Sequence, residues 1–175
     1  MFFEQTCFPL LDSNDDTFER LPYHLNQIMW CRLGIPPAPA GLDPKLWNHA
    51  KQVCPHLKVS LHCCGGVYPL LGDMIAAGLD AINPVQFNCA DMELARLKRE
   101  FGKDLVFWGG GCDTRRILPH GTPEEVRRHV AEQVQVMAPG GGFVFQQVHN
   151  ILADVPPENI AAMFEAVRGA KGRRP

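Results

Sequence analysis

His62 and Cys64 stand two residues apart at the end of the apolar run LKVSLHC (57–63), just before Gly65 and Gly66. Side chains two apart on a strand point to the same face, so this spacing aims an imidazole and a thiol into one space. Such a pair is half of a zinc site, and zinc with an open coordination position activates a thiol or a water. A third ligand would come from another strand end, either His149 or Cys112. The same spacing equally suits a hydrogen-bonded histidine beside a cysteine that packs as a small apolar side chain.

Three more apolar runs lead into polar or glycine-rich ends. Asn83 and Gln86 lie at the end of LDAINPV (79–85), Gly110 and Asp113 at the end of DLVFWGG (104–110), and His149 just beyond GFVFQQV (142–148). His149 suits the binding of a substrate carboxylate or metal, or proton transfer near neutral pH. Asn83, Gln86, Gly110 and Asp113 are the candidate substrate-binding positions. A glycine run after a strand lets a ligand approach backbone N–H groups, and the Asp113 carboxylate either orients a ligand or caps a turn with Thr114. Arg115 and Arg116 either hold carboxylates or phosphates or are simply solvated. Neither glycine run has dinucleotide-binding or P-loop spacing, so a nucleotide site has little support.

To bring these ends together, the four runs must be strands of one parallel sheet. They are nearly continuous in apolar residues, as parallel strands covered on both faces should be, and amphipathic segments alternate with them. The spacing predicts helices over 67–78 and 90–102, one opened by Thr122, Pro123 and Glu125 as a capping box, and one from the PPEN segment (156–159). The fold class is therefore α/β, with four βα units and ligands bound outside the carboxyl ends of the strands. Residues 57–175 form this unit. Residues 1–56 read as a separate, helical or irregular region, with a helix over 43–54 and a second over Phe18 to Leu33.

At 175 residues and 46% hydrophobic content, the chain suits one globular domain. A net charge of −2 gives no electrostatic reason to expect nucleic acid or an anionic membrane as partner. No run approaches the ~20 apolar residues of a membrane helix, and MFFEQTCFPLLD lacks the features of a secretory signal. Seven cysteines scattered along the chain suit reduced thiols better than a disulfide framework, so a cytoplasmic location is expected.

Three segments, LHCCGGVYPLLGDMIAAGLDAINPVQ, LVFWGGGCDTRRILPHGTPEEVRRHV and APGGGFVFQQVHNILADVPPENIAAMFEAV, resemble the C-terminal half of the uroporphyrinogen decarboxylase superfamily. The resemblance implies a partial (β/α)8 TIM barrel, the four strands being its fifth to eighth. It also implies one of two chemistries. Decarboxylases of the superfamily act on uroporphyrinogen, in porphyrin biosynthesis, without a cofactor. Its corrinoid-linked methyltransferases activate a thiol on zinc held by a His-x-Cys…Cys set. His62 and Cys64 match the start of that set, while His149 stands where the last cysteine would be and resembles the histidine near the end of decarboxylases.

The expected ligand is thus a tetrapyrrole or corrinoid-type molecule, with a corrinoid protein as a further partner. The family's arginine-rich start and catalytic aspartate have no match in residues 1–56. A whole barrel takes about 250 residues, more than this chain has. Half a barrel leaves edge strands and an inner face uncovered, so a homodimer or pairing with the missing half is expected. The competing reading is a non-catalytic half-barrel that acts as a binding or accessory module.

Overall fold

Leu61, Ile82 and Phe107 sit in the middle of three short strands, and each is almost wholly buried. The neighbours of each on the same strand are partly or fully exposed, so the pleat divides the sheet into a covered and an open face. The computed structural model describes residues 4–5 and 45–171. Its strands are β1 (Glu4–Gln5), β2 (Ser60–His62), β3 (Ala81–Asn83), β4 (Val106–Trp108) and β5 (Phe143–Val144). They form one sheet in the order β1-β2-β3-β4-β5, and every pair is parallel.

Helices fill the crossovers: α1 (Lys45–Val53), α2 (Tyr68–Ala76), α3 (Leu94–Phe101), α4 (Ile117–His120), α5 (Pro123–Met137) and α6 (Pro157–Lys171). Leu71 and Met74 of α2, Leu97 of α3 and Met137 of α5 join Leu61, Ile82 and Phe107 in one buried cluster. A second cluster gathers Leu118 of α4, Val126 and Val130 of α5, and Ala162 and Met163 of α6, with Cys112. The fold is α/β, a partial (β/α)8-like barrel of consecutive parallel units. The four inner-face positions nearest the strand ends are His62, Asn83, Trp108 and Val144, level with one another in the register and all partly or fully exposed. The runs read as strands covered on both faces; the described helices cover only one.

The capping box forms as expected. The Thr122 side chain accepts from the Glu125 N–H, and the Glu125 carboxylate accepts from the Thr122 N–H at 2.7 Å. The strands are shorter than the apolar runs, because only two or three residues of each enter the ladder. Two elements were not anticipated: the four-residue α4, and β1, which pairs with Ser60 and Leu61 and so covers one edge of β2. The helix expected over Phe18 to Leu33 lies outside the described residues. Ahead of β5, Gly140, Gly141 and Gly142 all have positive φ, and the Lys98 ammonium donates to the Gly141 carbonyl. Among the described residues no helix is long and apolar enough to cross a membrane.

Candidate functional site

The end of β2 turns His62 onto the open face, and the backbone beyond it brings Cys64 back beside the ring's Nε2. Cys64 Sγ lies 3.5 Å from His62 Nε2 and 3.7 Å from His149 Nε2, so the three residues expected to act together do meet. His149 arrives from the segment after β5, 85 positions along the chain from Cys64. Around a tetrahedral zinc, a sulfur and an imidazole nitrogen lie about 3.6 Å apart, and both separations match that edge.

Asn83, at the end of β3, locks this group to two further strands. Its amide nitrogen donates to the Trp108 carbonyl at 2.8 Å and to Gln146 Oε1 at 3.0 Å. Its Oδ1 must then face His62 Nδ1, 2.8 Å away, and that nitrogen carries the proton. The Nε2 lone pair of His62 is therefore left for the sulfur or for a metal, as zinc ligation requires.

His149 has the reverse arrangement. Its Nδ1 accepts the backbone N–H of Asn150 at 3.0 Å, which leaves the proton of the neutral ring on Nε2. Partial loss of solvent, and then the charges of His62 and Arg115, push its pKa below the usual histidine value. Among the described residues no three His, Cys, Asp or Glu side chains are arranged to hold a metal ion. His62 and Cys64 thus offer two donors of the type, separation and tautomer that zinc takes, and His149 as it stands does not add the third that a zinc site needs.

Cys112, the other expected third ligand, is fully buried among Leu118, Val126 and Val130. Burial, and then the neighbouring Asp113 carboxylate, push its thiol up to about 12, so it stays protonated at neutral pH. The fourfold set of candidate substrate-binding positions is also placed. Gln86 is buried, and its Oε1 accepts the Gly65 N–H at 2.8 Å, which holds the turn after Cys64. Gly110 is buried, and a Cβ there would meet Leu94 and Val85, so the glycine serves close packing of the loop. Asp113 Oδ1 accepts the N–H groups of Arg115 and Arg116 at 2.7 and 3.0 Å, the turn role weighed for it. Asn83 spends both amide donors and an acceptor bond on its neighbours.

One site residue was missed. His129 of α5 accepts the Asp113 N–H on Nε2 at 3.1 Å and so supports the glycine loop from beneath. Its three-residue spacing from Val126 places it on the core-facing side of the helix, a signal the sequence does contain. Burial pushes its pKa below the usual histidine value, opposed by Asp113 and Glu132. The unfolded chain therefore takes up a proton near pH 6.5 that the folded chain refuses, so stability is complete above that pH and falls on acidification. The melting temperature should drop between about pH 7 and pH 5.5, and less steeply in His129→Gln. Equal slopes in the two proteins would contradict this role.

A surface cleft of about 520 Å3 lies apart from this cluster, between the entry to α3 and Gln133 and Val136 of α5. It shares no residue with the strand ends.

With the geometry in place, comparison with known proteins gives a consistent result. The family profile described as uroporphyrinogen decarboxylase (URO-D) matches residues 44–170. A uroporphyrinogen decarboxylase of Pseudoalteromonas translucida is 38% identical over 93 residues, covering 53% of this chain and 24% of the relative. One from Legionella pneumophila (strain Corby) is 39% identical over 94 residues, covering 54% and 25%. The chain thus spans about a quarter of the length of the curated relatives it matches. A solved methyltransferase from Methanosarcina mazei shares the fold with a TM-score of 0.53 at 19% identity, over 73% of this chain and 38% of that one. Strand order, strand-end residues and the profile match agree: the chain belongs to the uroporphyrinogen decarboxylase family.

Proposed function

We propose that the chain carries the C-terminal half of a catalytic site for a tetrapyrrole or corrinoid-type molecule, and that its chemistry is thiol-centred methyl transfer. The observation that supports this is the position of Cys64 Sγ between two imidazole nitrogens, 3.5 and 3.7 Å away. A thiol flanked by two imidazoles suits thiol activation more directly than removal of a carboxylate. In this reading His62 and Cys64 would hold a zinc ion, which would supply Lewis acidity that lowers the pKa of an incoming thiol.

The chain's own residues do the rest. Asn83 keeps the His62 ring oriented, Gln86 holds the turn that presents Cys64, and Arg115 adds a positive charge for an anionic substrate group. The open face of the sheet forms one wall of the cavity, and a partner segment or a second copy of the chain forms the other. A cytoplasmic setting keeps the thiol reduced.

The second reading is cofactor-free decarboxylation, favoured by the relatives being uroporphyrinogen decarboxylases and by the His149 Nε2–H, a suitable donor to a carboxylate. Zinc titration of the 175-residue chain separates the two. The methyl-transfer reading expects uptake approaching one zinc per chain at saturation, lost in Cys64→Ser. Absence of uptake, together with coproporphyrinogen formed from uroporphyrinogen once the N-terminal half of a whole relative is supplied, would replace it with the second.

A further inference from the structure

We infer that the two imidazoles flanking Cys64 are held in opposite tautomers, His62 as acceptor and His149 as donor. His149 is then a positioning residue that donates to the Cys64 sulfur, and it is not a third metal ligand. The metal arm of the test below rests on the proposed zinc seat, but the assignment of tautomers does not.

The two assignments come from separate hydrogen bonds. Asn83 cannot turn its amide over, because Oδ1 would then face the Trp108 carbonyl and Gln146 Oε1, two acceptors against a third. Its Oδ1 is thereby fixed on His62 Nδ1 at 2.8 Å, and an oxygen that accepts needs an N–H opposite. On the other ring, the donor is a main-chain N–H, which has no second orientation to offer. Asn150 N lies 3.0 Å from His149 Nδ1, so this nitrogen contributes a lone pair and the remaining proton sits on Nε2.

The consequence falls on the sulfur between them. Cys64 faces a lone pair on one side and an N–H on the other, at 3.5 and 3.7 Å. This is directional: the thiol S–H points at the His62 lone pair, the place a metal would take, while the N–H of His149 faces the sulfur from the other side. The pattern is that of a neutral His149 ring, one nitrogen accepting from the main chain and the other facing the sulfur. A neutral imidazole with Nδ1 already accepting has no lone pair left on Nε2 for a metal. The seat offered by the described residues is therefore a two-donor one, to be completed by an incoming thiol and donors from elsewhere.

Two-bond 1H–15N correlation spectra of the metal-free, 15N-histidine-labelled chain, recorded at about pH 8, read both tautomers without any substitution. His62 is expected as the Nδ1–H form and His149 as the Nε2–H form. Asn83→Ala should release His62 from its single form, and Asn83→Asp, which keeps an acceptor oxygen, should retain it. In the metal arm, cobalt titrated into the same chain should lose its thiolate charge-transfer band in Cys64→Ser. His149→Gln, which still offers an N–H, should stay within about threefold of the parent affinity, and His149→Ala should fall about tenfold, the usual cost of losing a partner of a ligand. A Nδ1–H signal on His149, or loss of cobalt in His149→Gln as complete as in Cys64→Ser, would overturn the inference. A chain that takes up no cobalt but shows the two tautomers would sink the zinc reading and leave the assignment standing.

Discussion

Phe107→Ala should destabilise the chain by about 3–5 kcal/mol, the cost of emptying a large core position. Phe107 is fully buried at the centre of β4 and belongs to the cluster shared by β2, β3, α2, α3 and α5. Its backbone pairs with Ile82 on one side and Phe143 on the other, so the cavity would open in the middle of the sheet. Domains of this size have only about 5–15 kcal/mol in hand, so the variant should be partly unfolded at moderate urea. Phe107→Leu, which refills part of the volume, should cost far less. Similar urea midpoints for Phe107→Ala and the parent would mean that the core is not closed around this side chain.

Gly109→Ala should be nearly as damaging, for a different reason. Gly109 has φ 124, a conformation that a residue with a side chain adopts at a cost on the order of 1–3 kcal/mol. A Cβ there would also lie 2.8 Å from the Val85 nitrogen and 3.2 Å from Pro84 Cα, main-chain atoms that cannot swing aside. The sum should exceed about 3 kcal/mol, and relief requires β4 and the end of β3 to separate. Since Pro84 follows Asn83, the shift would also loosen the amide that orients His62. Gly140→Ala is the control: φ is 74 but nothing lies within 4 Å, so strain alone remains. Equal urea midpoints for the two alanine variants would remove the steric part of the argument.

Much of this architecture was legible in the residues, and the exceptions have physical reasons. Continuous apolar runs announce buried parallel strands, and Thr122, Pro123 and Glu125 announce α5 because capping is a local interaction. The strand ends could be named, and with them His62, Cys64 and His149, although only His62 lies on a strand and Cys64 meets it from the loop beyond β2. What the chain does not display is who meets whom across the sheet. The bond from Asn83 to the Trp108 carbonyl joins two strands through a main-chain atom, which leaves no mark on side-chain pattern. Cys112 and Cys64 look alike as letters, yet one is sealed under α5 and the other faces the cluster. The four residues of α4 and the two of β1 are too short for any periodicity to register.

The alternation along β2, β3 and β4 has a consequence for how the chain tolerates length changes. Leu61, Ile82 and Phe107 look toward the helices, while His62, Asn83 and Trp108 look the other way. Inserting or deleting one residue within such a strand exchanges the two sets, pressing an imidazole or carboxamide into oil and stranding its hydrocarbon neighbour in water. Frame-preserving indels there should thus erase chemistry and solubility in a single stroke, whereas the same lesions in the Gly140–Gly142 bend, where a Cβ at the first two positions would meet open space, should be survivable.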